Sequence, residues 1–475
     1  MTMTKRFNIK ENNFILSTID ELVPENHLVR KLESAIDWNF IYPLVEDLYS
    51  SFGRKSIDPV VLFKMIFINK LFGINSMRKT CEEIEVNLAY RWFLGISMDE
   101  RVPNYSTWSQ NYIRRYNDSD VFEKIFDKII EDCIKRKFID TTTLFGDSSH
   151  QKAHANKRKC INKEVELTKK IFEDELLEEI NKERANLGKK PITHLTREEL
   201  DFDEVTGKEV LRTKTKNIKE STTDKDAGCF HKGEHEECFA YSHQTFCDKN
   251  GFVVGFDTVP ANVHDSVSFF NVYNVLNDKY EVENYCLDAG YKTPAICRAI
   301  FNNNQKVYLP YTRIKGRSDK ELFKKSDYEY NEEEDYFICP NGDKLVLSTV
   351  DRNGYKIYKS NKDKCANCPL LNKCTKSKNT QKVITLHIWE EYRKKAEELR
   401  HTASWKEIYP LRKQTIERVF ADDKENHCLR FTRLNGLNKN RHQASIIFTS
   451  HNLKKMSLWM WKNGYRRNIK YSCSA

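Results

Sequence analysis

A chain of 475 residues exceeds one simple core and implies two or three structural units. Its 39% hydrophobic and 31% charged residues fit a globular, highly charged protein. No apolar run approaches the length of a membrane span, and MTMTKRFNIK lacks a signal peptide's apolar core, so a cytoplasmic protein with no membrane partner is expected. The net charge of +10 is uneven: from His401 onward 15 Lys/Arg face 5 Asp/Glu. Such a surface favours polyanions, DNA first among them, although a solubilising surface has the same composition. Fourteen cysteines in a reducing compartment argue for buried thiols where they are scattered and for metal where they cluster.

The first 140 residues read as a small helical bundle. Asp58-Pro59 starts a helix, with Val61, Met65, Ile68 and Phe72 as its apolar stripe and Gly73 at its end. Met77–Leu88, Thr107–Tyr116 and Val121–Lys135 read as further helices. The texture changes at Asp140: DTTTLFGDSS reads as a strand ending at Asp147. A charged stretch, Lys163 to Gly188, reads as an inserted surface helix. Then come two strands joined at Lys249-Asn250-Gly251, a helix over Asp265–Asn277 capped by Asp265, a short strand ending at Asp288, a helix from Pro294, and the strand KVYLPY. That order describes a mixed α/β domain. Ser318–Ser377 is charged, with weak short strands and four cysteines, and Trp405–Lys462 is helical.

Asp147 and Asp288 each end a hydrophobic strand before a small residue, a usual location for catalytic groups in α/β sheets. Either could instead cap the following turn. In YPLRKQTIERVFADDK, Lys413, Glu417, Phe420 and Lys424 share one helical face, with Tyr409 a turn earlier and Ile416 and Val419 free to anchor the helix. An ordinary Lys–Glu surface pair would look the same. Three carboxylates from separate elements suit a pair of Mg²⁺ or Mn²⁺ ions about 3.5–4 Å apart, the usual apparatus of phosphoryl transfer.

FGDSSHQKAHANKRK, LDAGYKTP and TIERVFADDK resemble, in order and context, the bacterial insertion-sequence DDE transposases. DPVVLFKMIFINKLFGINSMRK and NLAYRWFLGI…VPNYSTWSQ resemble that group's N-terminal helical domain. The resemblance implies an α/β catalytic domain of RNase H-like fold (140–316 and 400–463, with a helical insert near 160–236). It also implies an N-terminal helical DNA-binding domain (1–139), a cysteine-bearing insertion (317–399) and a basic tail (464–475). It carries the three metal-binding acids onto Asp147, Asp288 and Glu417. Metal-dependent cleavage of double-stranded DNA at the element's terminal inverted repeats would free a 3′-hydroxyl, which then attacks target DNA. A homodimer on DNA follows from pairing two ends. The family often spaces Tyr, Arg, Glu and Lys by two, three and six residues; here four residues separate Arg412 from Glu417. Candidate phosphate contacts are Lys152, Lys157, Arg158, Arg412, Lys413 and Lys424.

Cys339, Cys365, Cys368 and Cys374 could close a structural Zn²⁺ site or hold an Fe–S cluster, or remain reduced thiols. Cys229, His231, His235 and Cys238 form a second cluster whose spacing permits metal, but a polar loop near DNA is the favoured reading. A nuclease of the same fold without strand transfer and an inactive DNA-binding derivative are the competing functions; the presence of all three acids argues against the second.

Overall fold

The computed structural model describes residues 16–53, 55–203, 208–232, 236–311 and 322–466. They form two compact units, neither contiguous in sequence. The first comprises the described residues of Met1–Phe138, Asp422–Leu429 and His442–Ala475; the second comprises those of Ile139–Ala421 and Arg430–Arg441.

The first unit is helical. Its centre is helix Pro59–Leu71, whose N-cap Asp58 accepts a hydrogen bond from Val60 N at 2.7 Å through Oδ1. The expected single stripe understates this helix. Every residue from Leu62 to Leu71 is buried, as befits a helix apolar on all sides. Lys64 is tolerated there because Nζ donates to Glu33 at 2.8 Å and to Phe93 O at 2.9 Å. Helices Met77–Val86, Leu88–Leu94, Tyr105–Asn111 and Val121–Lys135 surround it, and one π-helical turn, Tyr112–Tyr116, extends the third of these. Phe122, Ile125, Ile129 and Cys133 are buried as their spacing predicts. The chain's C-terminal part completes this core: Ser445 Oγ donates to Phe122 O at 2.9 Å, and the ring of Phe138 lies 5.5 Å from that of Trp459.

The second unit is built on a six-stranded mixed sheet. Strand Thr143–Lys152 runs parallel to Asn284–Cys286, which runs parallel to Lys306–Tyr308. On its other side it pairs antiparallel with Glu236–Cys247, which also pairs with Gly228–Lys232 and Val253–Pro260. The last of these connections is the expected hairpin, with Gly251 at φ 76° and Asp248 Oδ1 accepting from Phe252 N at 2.8 Å. Helices Asp265–Lys279 and Pro294–Asn302 link the parallel strands. The strand expected to end at Asp147 continues to Lys152, because its antiparallel neighbour is long enough to pair with it throughout.

Residues 329–387 form a separate five-stranded meander around Tyr328, Phe337, Leu345 and Tyr358. The surface helix expected in Lys163–Gly188 is observed at Glu173–Asn186 behind a strand, Cys160–Glu166. Its Leu176 and Ile180 pack on Val350 and Trp389, so the two charged stretches share one small core. Among the described residues no helix is long and apolar enough to cross a membrane.

Candidate active site

Phe145 lies opposite Cys286 in the parallel pairing. Two residues beyond that pair stand Asp147 on one chain and Asp288 on the other. Neighbouring strands lie about 4.8 Å apart, so the register alone brings these two carboxylates to one sheet end. Asp288 occupies the N-cap position of the short turn Ala289–Tyr291 but makes no capping bond with its side chain, and it is exposed. The capping alternative therefore does not account for it.

Asp147 is held tightly. Its Oδ1 accepts from Ser148 N at 2.8 Å, and its Oδ2 accepts from Arg412 Nη2 at 2.8 Å. Arg412 is itself buried, with Nη1 donating to Gly146 O at 2.7 Å and Cys286 O at 3.3 Å. One guanidinium thus ties together the two strands that carry the acids. Burial raises the Asp147 carboxyl to about 6; Arg412 and Ser148 N–H oppose the rise, while Asp288 and Asp265 add to it. A carboxylate in that position favours a nearby cation.

The sequence predicts Asp265 as a helix cap. Instead His264 is the cap, its Nδ1 accepting from Ser266 N at 3.2 Å, and Asp265 begins the helix. Its Oδ1 accepts from Gln244 Nε2 at 2.7 Å, while Gln244 Oε1 accepts from Tyr291 OH at 2.5 Å. A Cβ added at Gly290 would stand 3.8 Å from Asp265 Oδ2, which sets this acid beside the Asp288 turn. The signal that could have found it was VHDS directly after a strand.

Glu417 is exposed on helix Ile416–Asn426, anchored by buried Ile416 and Val419 as expected. The shared face with Lys413 and Tyr409 is absent. Tyr409–Lys413 is a separate 3-10 turn, and Gln414-Thr415 divides it from the helix. Pro410 sits in the first turn of the 3-10 segment, where its missing backbone donor is tolerated. Arg412, rather than Lys413, reaches the acids, and Glu417 follows it by five residues. Tyr409 stacks on Trp405 at 4.8 Å, so these rings are engaged with each other.

Lys152, Lys157, Arg158 and Lys413 are exposed, and Lys424 is half-buried. Lys152 bridges in parallel to Phe431, an exposed ring flanked by Arg430 and also met edge-on by His154 at 6.1 Å. The four insert cysteines are half-buried free thiols. Cys374 Sγ lies 3.0 Å from Tyr328 OH, and Cys365 Sγ 3.2 Å from Ser360 Oγ. In the second cluster, Cys229, His231 and Glu237 come together, whereas Cys238 pairs with Phe230 on the opposite face of the hairpin. His235 lies outside the described residues.

Two family models match this chain: Transposase domain (DUF772) over residues 17–114 and Transposase DDE domain over residues 338–457. The first falls on the helical bundle; the second includes Glu417 and begins beyond Asp147 and Asp288. Together they define a transposase. Both matches support an insertion-sequence DDE transposase. No curated protein matches it.

Proposed function

We propose that the protein cuts DNA at the ends of an insertion element and joins the freed 3′ ends to target DNA, using an RNase H-like sheet whose catalytic carboxylates are Asp147, Asp288 and Glu417. The observation carrying this reading is the parallel register that sets Asp147 beside Asp288. The strand order, three parallel strands followed by antiparallel ones, is compatible with that fold. An all-oxygen donor set, one member of which burial and neighbouring acids push to about 6, suits Mg²⁺ or Mn²⁺. Such ions would supply phosphate charge neutralisation and a more acidic attacking water. The chain's own parts orient them: Arg412 fixes Asp147, and the Gln244–Tyr291 pair fixes Asp265, which we add to the site as a supporting acid.

Lys152, Lys157 and Arg158, with Arg430 and the exposed Phe431 beside Lys152, would follow a DNA backbone and stack on a base. Lys413 and Lys424 remain phosphate candidates on the two sides of Glu417 in the sequence. Arg412 is better assigned to holding Asp147, being buried and spent on it. The N-terminal helical unit would bind the terminal repeats, two copies of the chain would pair the two ends, and the four insert cysteines would hold a structural Zn²⁺.

The test is a joining assay with Mg²⁺ at low salt, end-containing DNA and a target plasmid. Joined product is expected. Cleavage without joining would favour the nuclease reading, and full residual cleavage by Asp288→Ala would remove the triad.

A further inference from the structure

Helix Ile416–Asn426, the turn after it and helix Leu437–Lys462 bring four metal-capable side chains together in the first unit: Asp422, Asp423, His427 and His451. Donor atoms of Asp422, His427 and His451 all lie within 4.8 Å of one another. His427 Nε2 is 3.5 Å from Asp422 Oδ2, and His451 Nδ1 is 3.7 Å from the same oxygen and 2.9 Å from Asp423 Oδ1. Donors about 2.1 Å from a tetrahedral ion stand about 3.4 Å apart, so the first two separations are close to the edges of such a site.

The chemistry of the pocket calls for a cation. His427 Nδ1 lies 2.9 Å from the backbone oxygen of Lys70, which can only accept, so Nδ1 carries the proton. In the neutral ring Nε2 then turns a lone pair toward the Asp422 carboxylate. Asp423 is completely buried, and its Oδ2 has no hydrogen-bond partner among the described residues. Two carboxylates buried or half-buried beside two imidazoles are costly unless paired. The ammonium of Lys454 stands 3.4 Å from His427 Nε2 and 3.6 Å from Asp422 Oδ2, too far for good hydrogen bonds. Its side chain is 26% exposed and can withdraw to water.

We propose that Asp422, His427 and His451, with Asp423 as a fourth donor, form a structural site for a zinc-class divalent ion, separate from the acidic site and from the insert cysteines. The Lys70 carbonyl then orients His427 as an outer-shell partner commonly orients a ligand histidine. The ion would fasten the last turn of the helix bearing Glu417 to the C-terminal helix, and Lys454 would stand in for it when metal is scarce.

The full-length chain is titrated with Co²⁺ in excess Mg²⁺, which keeps the acidic site filled. Intense d–d bands without thiolate charge transfer report the histidine–carboxylate site; a thiolate band reports the insert cysteines. Loss of about one bound ion and of those d–d bands is expected in His451→Gln, with the thiolate signal unchanged. Lys454→Ala, a half-exposed change that leaves every ligand in place, should tighten binding on the order of tenfold by removing a competing charge. Unchanged d–d bands in a folded His451→Gln would overturn the proposal. So would a Lys454→Ala chain that takes up metal only at its thiolates.

Discussion

Asp147 sits under opposing demands, with burial holding its proton on and Arg412 drawing it off. The folded carboxyl, raised to about 6, lies above the ordinary carboxylate value, so the metal-free fold takes up this proton more readily than the unfolded chain does. The Asp147 contribution therefore opposes folding above pH ~6 and fades as pH falls toward ~4. Metal must compete with the same proton, so apparent Mg²⁺ affinity should drop about tenfold per pH unit below ~6. Cleavage assayed at pH 5.5 should recover with added Mg²⁺; a rate indifferent to Mg²⁺ would exclude proton competition. Arg412→Gln removes the cation that opposes the shift. Its pH profile should move upward, and the loss of one partner from a largely buried pair should cost about 3 kcal/mol in chemical denaturation. Asp147→Asn should lower cleavage about 100-fold or more while leaving gel retardation of end DNA near wild type.

The strand that carries Asp147 depends on the glycine before it. A Cβ at Gly146 would meet Phe246 Cε1 at 2.5 Å and Leu287 Cδ2 at 2.7 Å, both in fully buried side chains. Gly146→Ala should destabilise by about 1–3 kcal/mol, read as a lowered Tm, and should depress cleavage by disturbing the register between Asp147 and Asp288. How far elements were legible follows from where their information lies. The strands and helices around Asp147, Asp288 and Pro294 were readable because β-branched runs, a turn glycine and an N1 proline are local signals. The break after Lys413 is hidden in the sequence because a 3.6-residue pattern of side chains survives a 3-10 turn. Asp265 was missed because its neighbours Gln244 and Gly290 are distant in sequence; its role at the site comes from pairing partners rather than spacing. The all-round burial of Pro59–Leu71 was likewise hidden by Lys64, whose charge is met by Glu33 from another helix.

Both units are assembled from separated stretches of chain, and the first closes only with the last. Tyr112 OH meets His442 Nδ1 at 2.8 Å, and the rings of Phe122 and His442 are 4.6 Å apart. Ala444, Ile447, Phe448, Leu453 and Met456 are fully buried. A chain truncated after Gln443 should therefore lose cooperative melting of the N-terminal bundle, measured by hydrogen exchange at Phe63, Ile66 and Phe67 of its central helix. Native protection there in the truncated chain would contradict a shared core. The same arrangement governs the order of events on the ribosome. The 303 residues between Phe138 and His442 take about 15–60 s to synthesise at roughly 5–20 residues per second. Throughout that interval the helices proposed to recognise element ends lack their closing wall. Folding of that helical unit is thereby timed to the synthesis of His442 and the helix that carries it.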